Sequence, residues 1–178
     1  VKAVMDMGPD GIIFPFIENK EIAELAVKAC SYPPRGIRGQ GPIRAIRYGI
    51  DDEGDYIAKA DSAFWTILQI ENVEGYNHLD EIMSVEGFDS IFIGPGDLSR
   101  SIDLPKEEKE IRMQEIQNDM CKRLLEKNII IGTATSSYVP DITKCAVRGA
   151  HWINIAQDVR AISNSLQSTL KTIRESLK

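Results

Sequence analysis

Short apolar runs alternate with amphipathic segments along the whole chain. The apolar runs predict buried strands at positions 11–15, 64–70, 90–93, 129–131 and 152–155. Between them, apolar residues at helical spacing predict helices over 20–30, about 75–85, about 107–127 and 140–149, and a last helix with an apolar seam from Val159 to Leu177. Strands that alternate with helices pair in parallel through right-handed crossovers, so the pattern predicts the α/β class.

The chain length leaves two architectures open. The pattern contains five strand-helix units in 178 residues. A closed eight-stranded barrel usually takes about 250 residues and at least about 200. The chain is therefore either a small open α/β sheet or five-eighths of a barrel, and the apolar pattern does not choose between them.

Charge and cysteine content narrow the possible functions. The net charge is −6 and the isoelectric point about 5.0, which argues against a bulk electrostatic binder of nucleic acid or membrane surfaces. No apolar run approaches the roughly 18 residues that a membrane span needs. The three cysteines are widely spaced, which favours free thiols and a cytoplasmic location.

Two carboxylates follow neighbouring predicted strands. Glu71 closes the second strand, with Gln69 on the same strand face, and Asp97 follows the third strand within Gly94–Ser99. Carboxyl ends of parallel strands meet at one edge, so this pair could hold Mg²⁺ or Mn²⁺ through oxygen ligands. In the alternative interpretation, Glu71 is an exposed strand end or pairs with an arginine, and Asp97 caps a helix.

The loop over 32–49 concentrates positive charge in an acidic chain. Its four arginines are Arg35, Arg38, Arg44 and Arg47. They could hold a carboxylate or phosphate group of a substrate. Alternatively, they could pair with acidic neighbours or with another subunit.

Taken in order, these segments resemble the HpcH/HpaI aldolase family of metal-dependent pyruvate aldolases. The resemblance rests mainly on YPPRGIRG at 32–39, QIE at 69–71 and IGPGDLS at 93–99. It implies a (β/α)8 TIM barrel of the phosphoenolpyruvate/pyruvate-binding type, of which this single domain (1–178) corresponds to strands four to eight. The family's first three strands carry a catalytic histidine and a pyruvate-binding arginine without counterparts here. We therefore expect either that the natural protein is longer than this sequence or that this sequence alone is inactive.

The resemblance also implies an activity and roles for particular residues. The reaction is reversible retro-aldol cleavage of a 4-hydroxy-2-oxo acid to pyruvate and an aldehyde, through a pyruvate enolate on Mg²⁺, Mn²⁺ or Co²⁺. The family implies a homo-oligomer, commonly a hexamer. The implied metal ligands are Glu71 and Asp97, and the implied substrate-binding residues are Gln69, Gly96 and Asp97. Asp6 corresponds to the catalytic acid that orients the family's histidine. Arg38 and Arg44 are possible contacts from the loop.

Two alternative functions stay open at this point. One is a malyl- or citramalyl-CoA-type lyase, which also uses a Glu and Asp pair around Mg²⁺. The other is a truncated, non-catalytic protein that binds pyruvate or metal, or serves in assembly.

Overall fold

Five parallel strands form one sheet in the order of the sequence. The structure is a computed structural model, and it describes residues 1–60 and 62–177. The strands are β1 (Gly11–Phe14), β2 (Trp65–Ile70), β3 (Ser90–Ile93), β4 (Ile130–Ala134) and β5 (Trp152–Asn154). Each strand pairs with the next one along the chain, so the structure confirms the α/β class with a parallel, half-barrel sheet.

Helices connect the strands, and most lie where the sequence places them. They are α1 (Lys2–Met5), α2 (Lys20–Cys30), α3 (Glu53–Lys59), α4 (Val73–Asn77), α5 (Leu79–Met83), α6 (Pro95–Ser101), α7 (Lys106–Glu126), α8 (Val139–Arg148) and α9 (Asp158–Ser176). Single 3₁₀ turns occur at Arg47–Gly49 and Ala60–Ser62. The apolar pattern gave no signal for α1 and α3, because each of these helices has seven residues or fewer, and for α6 the sequence suggested only a helix start at Asp97.

Two predicted boundaries are wrong. The single helix over 75–85 is instead α4 and α5, because the backbone breaks at His78, whose ring Nδ1 lies 3.0 Å from the Glu18 carbonyl oxygen. Strand β4 continues to Ala134, three residues beyond the prediction, and pairs with β3 and β5 over this stretch. There Thr133 donates its hydroxyl to the Ile93 carbonyl at 3.0 Å, which ties β4 to β3.

The core lies on one face of the sheet. Leu68, Ile70 and Ile91 point to this face and are fully buried against α5 and α7. On the other face, Ile13 and Trp65 stay 41% and 43% exposed and line a cavity of about 420 Å³. One face of the sheet is therefore packed against helices, whereas Ile13 and Trp65 on the other face stay exposed.

The apolar seam of the last helix is present but not buried. Leu177, just after the helix, is 81% exposed, and the five seam residues within the helix are 48–66% exposed: Val159, Ile162, Leu166, Leu170 and Ile173. Helical periodicity gave the helix correctly, but it gives no information on what covers the seam. Within residues 1–60 and 62–177, no helix has the length and apolar character that a membrane crossing requires.

Candidate active site

A buried carboxylate stands at the carboxyl end of the second strand. Glu71 follows β2 directly and is 4% exposed. Its Oε1 accepts the backbone N–H of Phe16 at 2.9 Å, and its Oε2 accepts the Gln69 side-chain amide at 2.5 Å. In the described part of the chain, no lysine or arginine pairs with this carboxylate. Both sequence alternatives for Glu71, an exposed strand end and an arginine partner, are therefore wrong for these residues.

The segment after β1 holds Glu71 in place. Phe16 adopts a positive φ of 53°, and the next backbone N–H, that of Ile17, donates to the Gln69 carbonyl at 3.1 Å. The chain thus turns over the end of β2 and aims the Phe16 N–H at the carboxylate. Sequence reasoning missed Phe16, because a backbone donor leaves no signal in the side-chain pattern.

Asp97 lies in the first turn of α6, directly after β3. The helix begins at Pro95 with Gly94 as its N-cap residue, so the prediction that Asp97 itself caps the helix is wrong. The Leu98 N–H donates to the Gly94 carbonyl at 3.2 Å, which sets Asp97 one turn from Gly94. Asp97 Oδ1 accepts from Arg100 at 2.9 Å, and its side chain is 47% exposed.

Gly94 brings Glu71 and the start of α6 together. A Cβ on Gly94 would lie 2.7 Å from the Glu71 Cβ and 2.8 Å from the Gln69 amide nitrogen. Only glycine permits this approach between the ends of β2 and β3. Gly96 differs, because a Cβ there would meet nothing within 4 Å. The structure thus places Glu71, Gln69, Gly96 and Asp97 at the same end of two paired strands.

Asp6 and Arg38 lie at the opposite end of the sheet. Asp6 precedes β1, and the Arg38 guanidinium lies 5.9 Å from the ring of Phe64, the residue before β2. The Arg38 Nη2 donates to Asp6 Oδ1 at 2.9 Å and to the Tyr56 hydroxyl at 3.2 Å. The guanidinium also lies over the ring of Tyr32, at 4.6 Å from its centroid. This placement gives Asp6 charged partners within the chain, and the role that the resemblance implies for it, orienting a histidine, stays a prediction.

The charges around Asp6 favour its ionised form. Burial is the largest single influence on Asp6 and raises its pKa, but hydrogen bonds and charges from Lys2 and Arg38 outweigh it, so the pKa lies below its ordinary value. Sequence reasoning missed Tyr56 as the second acceptor for Arg38. Of the other loop arginines, Arg47 pairs with Asp51 and Arg44 is exposed. For Arg38 and Arg47, the interpretation that they pair with acidic neighbours is confirmed.

The cysteines and histidines of the described residues have other surroundings than Glu71. Cys121 and Cys145 are free thiols, as predicted, and burial raises the pKa of Cys121 to about 11. The Nδ1 atoms of both histidines bond to the backbone: that of His78 to Glu18 and that of His151 to the Ile131 N–H at 3.0 Å.

Glu71 and Asp97 carry the oxygen atoms that a divalent cation would use, although the described residues contain no group of three or more His, Cys, Asp or Glu side chains that could hold a metal ion. A buried carboxylate is costly unless a positive charge balances it. The two hydrogen bonds to Glu71 use one acceptor position on each oxygen and leave further lone pairs available. Asp97 adds a second oxygen ligand, held only by an exposed pair with Arg100. Such carboxylate oxygens suit Mg²⁺ and Mn²⁺.

Comparison with known proteins agrees with the fold and gives the family of this chain. The model of the HpcH/HpaI aldolase/citrate lyase family matches residues 1–165, and the chain belongs to this family. The 2-keto-3-deoxy-L-rhamnonate aldolase of Escherichia coli K12 is 31% identical over 173 residues, which are 96% of this chain and 63% of that protein. The chain thus spans less than two thirds of this relative.

Solved structures show the same fold. An HpcH/HpaI aldolase from Desulfitobacterium hafniense DCB-2 superposes with a TM-score of 0.86 at 23% identity, over 98% of this chain and 68% of that one. The citrate synthase SbnG superposes with a TM-score of 0.80 at 27% identity, over 97% of this chain and 66% of that one.

Proposed function

We propose that this chain supplies the metal- and pyruvate-binding half of a class II aldolase. The observation that carries the proposal is Glu71, a carboxylate buried to 4% exposure that pairs with no cationic side chain in the described residues. Asp97 lies in the first turn of the neighbouring helix α6 and supplies the second carboxylate. Family membership and the E. coli rhamnonate aldolase relative support an aldol reaction of a 2-oxo acid.

Each residue of the proposed site has a role that follows from its position. Glu71 and Asp97 would hold the divalent cation, whose positive charge stabilises the enolate oxygen that forms when the carbon–carbon bond breaks. Gln69 positions Glu71 through its amide and borders the same space. The backbone N–H groups of Gly96 and Asp97, in the first turn of α6, would donate to the substrate carboxylate.

The chain would act as strands four to eight of a (β/α)8 barrel. An open sheet with one uncovered face and a span of 63% of the rhamnonate aldolase support this assignment. Neither histidine of the chain bonds to Glu71, Gln69 or Asp97 in the described residues, so the general base would come from elsewhere. A protein that binds metal and pyruvate without turnover is therefore the second candidate.

The exposed seam of α9 supports the proposal of a homo-oligomer. Five large apolar residues along one helix stay 48–66% exposed. We propose that a neighbouring copy of the chain packs against these residues. The resemblance to the family suggests that the oligomer is a hexamer. Light scattering of the chain and of the double variant L166S/L170S tests this, because the variant is expected to have the smaller mass. Equal masses would contradict the assignment.

The experiment for the activity uses a protein that contains this chain together with the segment that supplies the general base, and it measures pyruvate released from a 4-hydroxy-2-oxo acid such as 2-keto-3-deoxy-L-rhamnonate. We expect release that stops on chelation with EDTA and returns with Mg²⁺, Mn²⁺ or Co²⁺. Activity that survives both chelation and Glu71→Ala would reject the metal role. Metal-dependent binding of pyruvate or oxalate without turnover would establish the non-catalytic candidate instead.

A further inference from the structure

A second cavity, of about 680 Å³, opens between α7 and α8 beside the end of β4. Its walls are basic, although the chain as a whole carries a net charge of −6. Lys106 and Lys109 come from the first turn of α7, and Lys144 and Arg148 come from α8. Two elements far apart in sequence thus direct four cationic side chains towards one space.

The acidic residues of the cavity do not neutralise these cations. Only Glu110 and Asp141 carry negative charge in the lining, which leaves an excess of two positive charges. Asp141 lies 4.0 Å from Lys144, at the limit of an ion pair, and already accepts the Ser136 hydroxyl at 2.8 Å. The cavity therefore presents a net positive field to a ligand.

Arg148 is oriented by neutral partners. Its Nε donates to the Asn118 amide oxygen at 2.8 Å, and its Nη1 donates to the Gln117 amide oxygen at 2.6 Å. Among residues 1–60 and 62–177, no carboxylate lies within ion-pair distance of this half-buried guanidinium. The two amide oxygens fix the orientation of the Arg148 guanidinium but do not neutralise its positive charge. The N–H donors of its Nη2 atom take no part in these two hydrogen bonds.

We propose that this cavity binds the phosphate group of a small molecule. Four cations from two helices suit a phosphate, which carries more charge and more acceptor oxygens than a carboxylate. The volume lies in the range of about 300–1,000 Å³ that small-molecule sites occupy. The cavity also includes Pro95 and Gly96, so a bound phosphate ester lies at the same end of the sheet as Glu71 and Asp97. The binding itself does not depend on the proposed aldolase activity.

Calorimetry of the metal-free chain tests the site without any turnover. The probes are inorganic phosphate and glyceraldehyde 3-phosphate, titrated to about 10 mM at fixed ionic strength, with sodium chloride as the blank. The test variant is K109Q/K144Q, which removes two of the four charges and leaves Arg148 and its amide partners in place. The control is Lys122→Gln, which removes an exposed lysine from the same helix α7 outside the cavity.

We expect saturable binding that weakens about tenfold or more in K109Q/K144Q and stays unchanged in Lys122→Gln. Tighter binding of glyceraldehyde 3-phosphate than of inorganic phosphate identifies a phosphorylated aldehyde as the source of the group, and equal binding identifies free phosphate. Absence of saturable binding, or equal affinities of the two variants, overturns the proposal. Because the titration contains no metal and no oxo acid, its failure is distinguishable from failure of the aldolase activity.

Discussion

The two ends of the sheet each bury a charged side chain, and they compensate it differently. At the amino end, Arg38 is 2% exposed and pairs with Asp6 and Tyr56. At the carboxyl end, Glu71 is 4% exposed and receives only an amide and a backbone N–H. The first charge is balanced within the chain, whereas the second is not balanced by any described side chain.

This difference is the basis for treating Asp6 and Arg38 as an ion pair and Glu71 as part of the proposed binding site. Removing an ion from water costs several kcal/mol, and an internal counterion offsets much of that cost. Arg38 and Asp6 therefore hold the loop over 32–49 against the start of the sheet. Glu71 has no such counterion among the described residues, so a cation from solution that bound there, as we propose, would lower the free energy of the folded chain.

The largest expected effect comes from Glu71→Gln. We expect the Mn²⁺ affinity to fall by roughly 100-fold, because a first carboxylate ligand is lost. The metal-free variant should be about as stable as the parent chain, since a neutral amide is cheaper to bury than an unbalanced charge and Gln69 can turn its amide so that its oxygen accepts from the new NH₂ group. Electron paramagnetic resonance titration with Mn²⁺ and thermal unfolding in EDTA measure the two quantities.

Glu81→Gln is the matched control, because this exposed glutamate lies on α5. It should change neither quantity. If Glu71→Gln bound Mn²⁺ normally and unfolded at a lower temperature without metal, Glu71 would be structural like Asp6, and the contrast between the two ends would disappear.

Asp6→Ala should act on stability and leave metal binding alone. We expect a loss of about 2–3 kcal/mol in the free energy of unfolding, because Arg38 stays buried without its carboxylate. In the double variant D6A/R38M most of that loss should return, since an apolar side chain of similar length needs no counterion. Urea unfolding measures all three proteins.

Asp51→Ala provides the comparison for an exposed pair. Asp51 contacts Arg47 at the surface, where 42% and 65% of the two side chains are exposed, and we expect little change in stability. If Asp6→Ala lowered the free energy of unfolding no more than Asp51→Ala, the buried ion pair would stabilise the fold no more than the exposed one.

The sequence predicts the carboxyl end better than the amino end, for a physical reason. Side chains that alternate along a strand and follow its end, such as Gln69, Glu71 and Asp97, have positions set by local geometry. The contact between Asp6 and Arg38 spans 32 residues and depends on how the loop over 32–49 folds back. No local pattern encodes that path, so Asp6 was assigned by resemblance alone.

The same limit explains the other sequence errors. The position of Phe16 beside Glu71 is a property of the backbone, and the break at His78 depends on the carbonyl of Glu18, 60 residues away. Helical periodicity predicted α9 but not what packs against its apolar seam. The same seam pattern would suit a helix that packs on its own sheet and a helix that packs on a second copy of the chain.

Two glycines two residues apart sharpen the comparison at the carboxyl end. In Gly94→Ala the new methyl group would lie 2.7 Å from the Glu71 Cβ, so the ends of β2 and β3 must separate. We expect a loss of about 1–3 kcal/mol in stability and a lower Mn²⁺ affinity. In Gly96→Ala the methyl group meets open space, and stability should stay equal or rise by up to about 1 kcal/mol.

Urea unfolding and Mn²⁺ titration of both alanine variants check this pair. Equal effects at the two positions would mean that the close contact of Gly94 with Glu71 does not define the site.

The smallest expected effect is the acid dependence of the amino end. The folded pKa of Asp6 lies below its ordinary value of 3.8, so the unfolded chain takes up the proton first as the pH falls. The contribution of Asp6 is therefore complete above the unfolded pKa and disappears as the pH falls through the folded one. Between about pH 5 and pH 2, the free energy of unfolding should fall more steeply in the parent chain than in D6A/R38M. Urea unfolding at a series of pH values measures both slopes, and parallel curves would show that Arg38 does not stabilise the ionised form of Asp6.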